Sequence, residues 1–152
     1  LDLNKLIADE ISQLQFRAQS NGVKLIYTPP KKPVPIVKLD EDKTKQVVMN
    51  LIDNAISYAP KGEVTVSLDS NGKEIVYKVS DNGIGIPKSQ QNKLFGKFFR
   101  ASNAQKTKPD GTGLGLYLVK RVVEDQGGEV IFESEEGKGS TFGFKLPIKA
   151  KS

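Results

Sequence analysis

The segment KEIVYKVSDNGIGIP, residues 73–87, decides how the rest of this chain is interpreted. Within its first eight residues, Ile75, Tyr77 and Val79 recur at every second position, a pattern typical of a β-strand with one buried face. Asp81 continues the alternation of Tyr77 and Val79, so its carboxylate is predicted to point towards the apolar side, where an unpaired charge is costly. Two interpretations remain open from these residues alone. Asp81 either caps a solvent-exposed turn, or accepts a hydrogen bond from a ligand amine while the following glycines leave space for a flat ligand.

Helical spacing of apolar residues recurs on both sides of this segment. It predicts helices within residues 1–21, 39–60 and 114–128, with Asp40 or Asp42 capping the second. A short helical stretch is also predicted within residues 88–99. The next fourteen residues, 100–113, have almost no apolar side chains and are predicted to form a mobile surface loop.

Period-two alternation predicts the strands, which are two hairpins and two shorter runs. They lie at residues 23–28, 36–39, 63–69, 73–80 and, as the second hairpin, 129–147. In that second hairpin, Phe142, Phe144 and Leu146 share one face. Because helices and strands do not alternate strictly, this order predicts an α+β fold in one domain over residues 1–152. We expect a two-layer α/β sandwich with a mixed sheet covered on one face by helices.

The composition excludes several classes of function. With 37% hydrophobic and 27% charged residues, the 152-residue chain is typical of one globular domain. It has no cysteine and no histidine, so neither thiolate metal sites nor a phosphohistidine can form on it. The net charge of +5 is scattered along the chain, so nucleic acid is not an expected partner. No direct contact of this domain with a membrane is expected either. Because Leu1 stands where an initiator Met would, we expect a domain excised from a longer protein.

A stripe of carboxamides follows the second predicted helix. Gln46, Asn50 and Asn54 recur every four residues, and Asn54 falls at the edge of the predicted buried face. Asparagine is a mediocre helix former, which makes the stripe unusual. The side chains either form a solvated helix flank, or their oxygens reach a hard cation such as Mg²⁺, which shares its coordination with water and phosphate.

Glycines at positions 111, 113 and 115 open the third predicted helix in the sequence GTGLGL. Backbone N–H groups at a helix start can hold phosphate, although this signal is weak by itself. The spacing fits neither the Rossmann fingerprint nor a Walker A motif. The preceding loop, with Arg100, Lys106 and Lys108, is either solvated or a lid whose cations meet phosphates.

Taken together, these motifs carry a family resemblance. The order NLIDNA, DNGIGIP, LFGKFFR and GTGLGL resembles the N, G1, F and G2 boxes of the histidine-kinase ATP-binding catalytic domain, and GKGS at 137–140 resembles a further glycine element. The resemblance covers residues 40–147. It implies the Bergerat fold, a mostly antiparallel mixed sheet under helices with a mobile ATP lid at 100–113, shared with gyrase, mismatch-repair and heat-shock-chaperone ATPases.

The resemblance also implies the ligands and their contacts, which are ATP and Mg²⁺. Asp81 is expected to accept a hydrogen bond from the exocyclic amine of adenine, and Asn54, with Asn50, to bind Mg²⁺. Tyr58 is expected to pack near adenine, and Phe95 with Phe99 to anchor the near end of the lid. The other implied ATP-binding positions are Gly83, Gly85, Ile86, Arg100, Lys106, Lys108, Gly111, Thr112, Gly113, Leu114, Gly115, Leu116 and Thr141.

Two positions distinguish this chain within the superfamily. Ser57 stands where histidine kinases usually have a phosphate-binding lysine, so either Lys106 or Lys108 supplies that charge or phosphate is held more weakly. Asn50 stands where the chaperone and topoisomerase branches have a glutamate general base. Without that base, we expect ATP to be held for transfer rather than hydrolysed.

The expected function is therefore transfer of the γ-phosphoryl group to a histidine in two-component signalling. The acceptor histidine and any base are expected on a dimerisation domain preceding the helix at residues 1–21, and a response regulator is the next acceptor. No catalytic residue is assigned on this chain itself. Two alternatives remain: a nucleotide-binding regulatory module without transfer, and a serine kinase of the anti-sigma-factor type. A cytoplasmic location is expected, whether or not the parent protein is anchored in the inner membrane.

Overall fold

A mixed five-stranded sheet with three α-helices forms the part of the chain that the computed structural model describes, residues 1–59, 61–93, 95 and 115–148. The helices are α1 (Leu3–Ser20), α2 (Glu41–Tyr58) and α3 (Gly115–Asp125). The strands are β1 (Lys24–Thr28), β2 (Glu63–Ser70), β3 (Glu74–Asp81), β4 (Glu129–Glu135) and β5 (Gly139–Pro147). A six-residue 3₁₀-helix spans Lys88–Lys93.

The strand order places β3 in the middle of the sheet. Across the sheet the strands run β1-β2-β3-β5-β4, with β1 and β2 parallel and every other pair antiparallel. The register pairs the last residue of β3, Asp81, with Val64 on one side and Ser140 on the other. Asp81 is therefore held by two neighbouring strands.

The two long helices begin at aspartate caps. The Asp2 carboxylate accepts the N–H of Lys5 at 3.1 Å, and the Asp40 carboxylate accepts the N–H of Lys43 at 3.0 Å. Each bond satisfies one of the N–H groups that the first helical turn leaves without a partner. Asp40, and not Asp42, is thus the cap of α2.

The core lies between the helices and one face of the sheet, with α1 over β1, α2 over the central strands and α3 over β4. Tyr77 and Phe144 are its largest buried side chains, and their ring centroids lie 5.0 Å apart. The Tyr77 hydroxyl donates to the carbonyl oxygen of Val48 at 3.2 Å, so its polar end is satisfied inside the core. The predicted α+β sandwich with helices on one face is confirmed.

The strand predicted at residues 36–39 is wrong. These residues have no regular structure, and Val37 instead exchanges hydrogen bonds with Leu1, at 2.8 and 3.2 Å. Pro33 and Pro35, just before this stretch, have no N–H to donate to a neighbouring strand. A short β-branched run beside prolines is therefore not sufficient for a strand.

Two other predictions lie partly or wholly outside the described residues. The helical stretch predicted within 88–99 begins as the 3₁₀ turn at Lys88–Lys93, and beyond it only Phe95 is described. The lid predicted at 100–113 lies outside the described residues. Among the helices that the structure describes, none is both long and apolar enough to cross a bilayer.

Candidate functional site

The Asp81 carboxylate lies at the end of β3 on the helix-covered side of the sheet, in line with the buried Tyr77 and Val79. Its Oδ1 accepts the N–H of Gly83 at 2.9 Å, and the N–H of Ser140 also bonds to it. Burial raises the pKa of Asp81, and these two amide bonds partly oppose that shift. Because a carboxylate has about four acceptor positions, the two amides leave capacity for a further donor.

The loop after Asp81, residues 82–87, is tied to the start of β2. The Asn82 side-chain oxygen accepts the N–H of Glu63 at 2.8 Å, and the Asn82 N–H donates to the Glu63 carbonyl oxygen at 3.3 Å. Gly62 lies directly against this side chain, and a Cβ there would overlap the Asn82 oxygen. The asparagine therefore fixes the direction in which the loop leaves the strand.

The loop then lies against the β4–β5 hairpin. Gly85 has φ +66°, and a Cβ at this position would overlap the carbonyl oxygen of Glu135. Glycine is required there for both reasons. The next residue, Ile86, is buried, and its N–H donates to the Ser134 hydroxyl at 2.8 Å. Of the predicted site residues, Asp81, Gly83, Gly85 and Ile86 thus form one continuous wall.

The predicted magnesium ligands lie on α2, beside the core. Asn50 and Asn54 are half-buried, whereas Gln46 is exposed. Since α2 packs on β3, the asparagines belong to the same layer that covers the strand ending in Asp81. In the described ranges, 1–59, 61–93, 95 and 115–148, no group of three or more His, Cys, Asp or Glu side chains could hold a metal. Carboxamide oxygens suit Mg²⁺ when phosphate and water supply its other ligands.

A cation that the sequence did not reveal lies beside position 57. Arg17 of α1 forms an ion pair with Asp53, and its Nη2 donates to the Ser57 hydroxyl at 3.1 Å. Sequence reasoning missed Arg17 because 40 positions separate it from Ser57 and only helix packing brings them together. The guanidinium thus lies on the flank of α2 where the resemblance led us to expect a lysine.

Thr141 does not share a face with Asp81. Its hydroxyl lies 2.9 Å from that of Ser80, which is the residue opposite it in the β3–β5 register. Ser140 is the residue that pairs with Asp81 and is buried on the same side. Alternation from Phe142 could have shown this, because residues i and i+2 share a face. Ser140 was therefore missed, although its signal was present in the sequence.

Ser134 and Gln91 were also missed, and both contact the 82–87 loop. Gln91 belongs to the 3₁₀ turn, and its amide donates to the Ile86 carbonyl oxygen at 3.0 Å. Neither residue belongs to a sequence motif used above. Their positions depend on how the hairpin folds back onto the loop, which spacing alone does not show.

The remaining predicted residues are only partly described. Gly115 and Leu116 open α3 and are half-buried. Phe95 packs edge-on against Phe132 and Phe142, with centroid distances of 6.3 Å to each. The Tyr58 side chain and eight further predicted positions lie outside the described part of the chain: Phe99, Arg100, Lys106, Lys108, Gly111, Thr112, Gly113 and Leu114.

Comparison with protein families gives one match, over residues 39–150, to the family described as histidine kinase-, DNA gyrase B-, and HSP90-like ATPase. The chain belongs to this family. The resemblance drawn from the four boxes is thereby confirmed at the level of the superfamily.

Curated relatives place the chain within the histidine-kinase branch. It is 46% identical over 116 residues to the sensor histidine kinase WalK of Bacillus subtilis, covering 74% of this chain and 19% of WalK. It is 35% identical over 147 residues to the circadian input-output histidine kinase CikA of Synechococcus elongatus, covering 95% of this chain and 20% of CikA. The chain thus spans about a fifth of the length of these relatives.

Solved structures agree with this placement. The catalytic domain of the histidine kinase ThkA superposes with a TM-score of 0.82 at 26% identity, covering 97% of this chain and 95% of that one. The mycobacterial sensor histidine kinase MprB superposes with a TM-score of 0.83, also at 26% identity, covering 97% and 96%. Full-length ShkA, solved in complex with AMPPNP, gives 0.83 at 25% identity, covering all of this chain and 31% of ShkA. The chain is therefore a catalytic ATPase domain of the histidine-kinase type.

Proposed function

We propose that this domain binds Mg·ATP and donates its γ-phosphoryl group to a histidine on a separate dimerisation domain, in two-component signal transduction. The observation that carries the proposal is the Asp81 carboxylate, partly desolvated at a strand end and held by two backbone amides. The ATPase family match and the AMPPNP bound to the similar protein ShkA support it.

Adenine recognition is the step that the described geometry supports in most detail. Gly83 and Ser140 fix the carboxylate, so little side-chain entropy is lost when it accepts the exocyclic amine. Gly85 and Ile86 continue the wall beside it, and the absence of a side chain at Gly83 leaves room for a planar base. A hydrogen bond from a neutral amine to an ionised carboxylate is stronger than one between neutral groups.

The phosphate end of the site is proposed from residue chemistry. Asn50 and Asn54 provide carboxamide oxygens, which fit Mg²⁺ bound jointly with phosphate. Magnesium, when bound, neutralises charge on the transferring phosphoryl group. Tyr58, Phe99, Arg100, Lys106, Lys108 and residues 111–116 remain proposed contacts with the nucleotide, as does Thr141 despite its position on the other face of the sheet.

Transfer is favoured over hydrolysis because Asn50, a neutral residue, stands where related ATPases have a glutamate base. Phosphoryl transfer depends mainly on positioning and charge neutralisation, which a domain of this kind can supply without a covalent step. The chain has no histidine, so the acceptor must belong to another domain. A response regulator is the proposed second acceptor, and the use of ATP implies a cytoplasmic location.

Asp81→Asn tests adenine recognition. The substitution keeps the shape but removes the charge, and a lost hydrogen bond to a charged group is worth about 1.5–3 kcal/mol. ATP affinity, measured by titration calorimetry, should fall by about 10- to 100-fold. The matched control is Asp69→Asn, because the Asp69 carboxylate also accepts a backbone N–H, that of Ser70 at 3.0 Å, but is exposed on β2. Equal affinities for the two variants would refute the role of Asp81.

Phosphotransfer is tested with the parent protein's dimerisation domain and γ-labelled ATP. Acid-labile, base-stable label on that domain is expected for phosphohistidine. Acid-stable label on serine would support the anti-sigma-factor type of kinase. ATP binding without label on any protein would instead support the regulatory-module alternative and contradict the proposal.

A further inference from the structure

We infer that Ser134 and Gln91 are positioning residues of the adenine site, holding the backbone of residues 84–86 against the β4–β5 hairpin. We call these two side chains the hairpin clasp. The inference rests on the proposed ATP site, because it concerns the wall next to Asp81. Neither residue is adjacent to Asp81 in sequence, and neither is proposed to touch the nucleotide.

The Ser134 hydroxyl uses its full hydrogen-bonding capacity at this point. It accepts the Ile86 N–H at 2.8 Å and lies 3.0 Å from the Gly139 carbonyl oxygen, to which it donates. The Ser140 hydroxyl lies 2.8 Å away. Because Ser134 has a single proton, already given to Gly139, the Ser140 hydroxyl must be the donor in that contact. One side chain thus joins the loop to both strands of the hairpin.

Gln91 bonds the carbonyl group of Ile86, the residue whose N–H is bonded by Ser134. Its Nε2 donates to the carbonyl oxygen of Ile86 at 3.0 Å and to that of Ser134 at 3.1 Å. The N–H and the carbonyl group of Ile86 are therefore both bonded to the clasp. A backbone held at both groups has little freedom to rotate, so the Ile86 side chain is fixed in the wall.

Backbone contacts also hold the 82–87 loop close against the β4–β5 hairpin. The Gly137 N–H donates to the Ile84 carbonyl oxygen at 2.7 Å. A Cβ on Gly85 would overlap the Glu135 carbonyl oxygen, so the loop lies directly on the β4 backbone. The loop therefore cannot move without moving the hairpin, and the clasp sets the distance between them.

The hairpin clasp is also hydrogen-bonded, through Ser140, to the Asp81 carboxylate that is proposed to accept the adenine amine. Ser140 gives its N–H to Asp81 and its hydroxyl to Ser134. The connection runs from Asp81 through Ser140 and Ser134 to Ile86, and back to Asp81 along the loop. A closed ring of bonds holds its members more tightly than the same bonds made separately, because each is already ordered by the others. We therefore expect the clasp to affect how well the site distinguishes a 6-amino from a 6-oxo purine.

The test compares Ser134→Ala with Ser80→Ala in the whole domain. Both remove one half-buried hydroxyl that bonds another hydroxyl on β5, at 2.8 Å for Ser134 and 2.9 Å for Ser80. Only Ser134 contacts the loop, since Ser80 pairs with Thr141 on the opposite face. Affinities for ATP and ITP are measured by calorimetry, and unfolding by urea titration. A third variant, Gln91→Glu, removes both Nε2 donors while keeping the side-chain length.

Each of Ser134→Ala and Gln91→Glu removes more than one bond, but the nucleotide is affected only through the position of the wall, so ATP binding should weaken by about three- to tenfold, as much as one net hydrogen bond is worth. The ratio of ATP to ITP affinity should fall with it, whereas Ser80→Ala should keep the wild-type ratio even where it lowers stability. Faster amide exchange at residues 84–86 in the folded Ser134→Ala domain would report the loosened loop directly.

The outcomes separate this inference from the function on which it rests. If Asp81→Asn weakens ATP binding but Ser134→Ala and Gln91→Glu behave like Ser80→Ala, the positioning role is wrong and the proposed ATP site stands. If the wild-type domain binds no ATP, both the proposed function and this inference are overturned. A loss of stability without a change in the ATP to ITP ratio would show that the clasp is only a structural contact.

Discussion

Two glycines where the β4–β5 turn leads into β5 offer a direct test of how closely β5 packs against the backbone of Asp81. Gly137 and Gly139 both have positive φ angles, +83° and +128°, so alanine is strained at either position. Their surroundings differ. A Cβ on Gly137 would meet nothing within 4 Å, whereas one on Gly139 would overlap the Asp81 carbonyl oxygen and lie 2.9 Å from the Asn82 Cα. The pair therefore separates backbone strain from collision with the loop that carries the carboxylate.

The expected costs follow from this difference. Gly137→Ala should lower the free energy of unfolding by about 1–2 kcal/mol, the cost of a left-handed backbone for a residue with a Cβ. Gly139→Ala carries a strain cost of about 1–3 kcal/mol. It must also push β5 away from β3 at the Asp81–Ser140 pair, and separating the Ser140 N–H from the Asp81 carboxylate there adds about 1–3 kcal/mol. The total for Gly139→Ala is therefore about 2–6 kcal/mol.

Urea unfolding followed by circular dichroism measures both variants. Equal slopes of free energy against urea would show that the compactness of the two end states is unchanged, so that midpoints can be compared. ATP affinity of the folded Gly139→Ala domain should also fall, because the displaced strand carries the Ser140 amide that bonds Asp81. If Gly139→Ala is no more destabilising than Gly137→Ala, the close contact between β5 and the Asp81 backbone is refuted.

Three further predictions concern titration, a buried charge and the core. Burial raises the pKa of Asp81, so adenosine affinity should fall as pH decreases through that raised pKa, and Asp81→Asn should remove this dependence. The raised pKa also contributes to the stability of the folded state: the contribution is fully present below the ordinary aspartate pKa and is lost as pH rises through the raised pKa. Lys45→Ala should cost about 1–3 kcal/mol in urea unfolding, because the buried Glu10 carboxylate loses the ammonium 3.5 Å away, and Glu10→Gln in the same chain should restore part of it. Tyr77→Phe should cost about 1 kcal/mol in the same assay, by losing its hydrogen bond to Val48, and no loss of stability would show that the bond contributes nothing net.

Local patterns predicted most of the fold because several signals agreed. The α2 helix has an aspartate cap, apolar residues at helical spacing and a proline just beyond its end. The β2–β3 hairpin has apolar residues at every second position on both strands, and Asn71 closes its turn by accepting the N–H groups of Lys73 and Glu74. At residues 36–39 only one signal is present, a short apolar run, and these residues pair with none of the five strands that the structure describes.

The candidate site was predictable where side chains follow a regular period. Asp81 was located correctly because it continues the alternation of β3. The resemblance implies Thr141, whereas alternation counted back from Phe142 places Ser140 beside Asp81. Contacts between residues far apart in sequence leave no local pattern in the sequence, as shown by Arg17 beside Ser57 and Ser134 beside the 82–87 loop.

The pairing of Asp81 with Ser140 has a consequence for how this domain matures. The carboxylate and the strand that orders it lie 59 positions apart, and β5 is the last strand along the described chain. On a ribosome, the wall proposed to bind adenine is therefore incomplete until β5 has emerged and paired with β3. A nascent or truncated chain that ends before residue 139 should not bind nucleotide. ATP would then bind only the completed fold, and its binding would shift the folding equilibrium towards the native state by mass action.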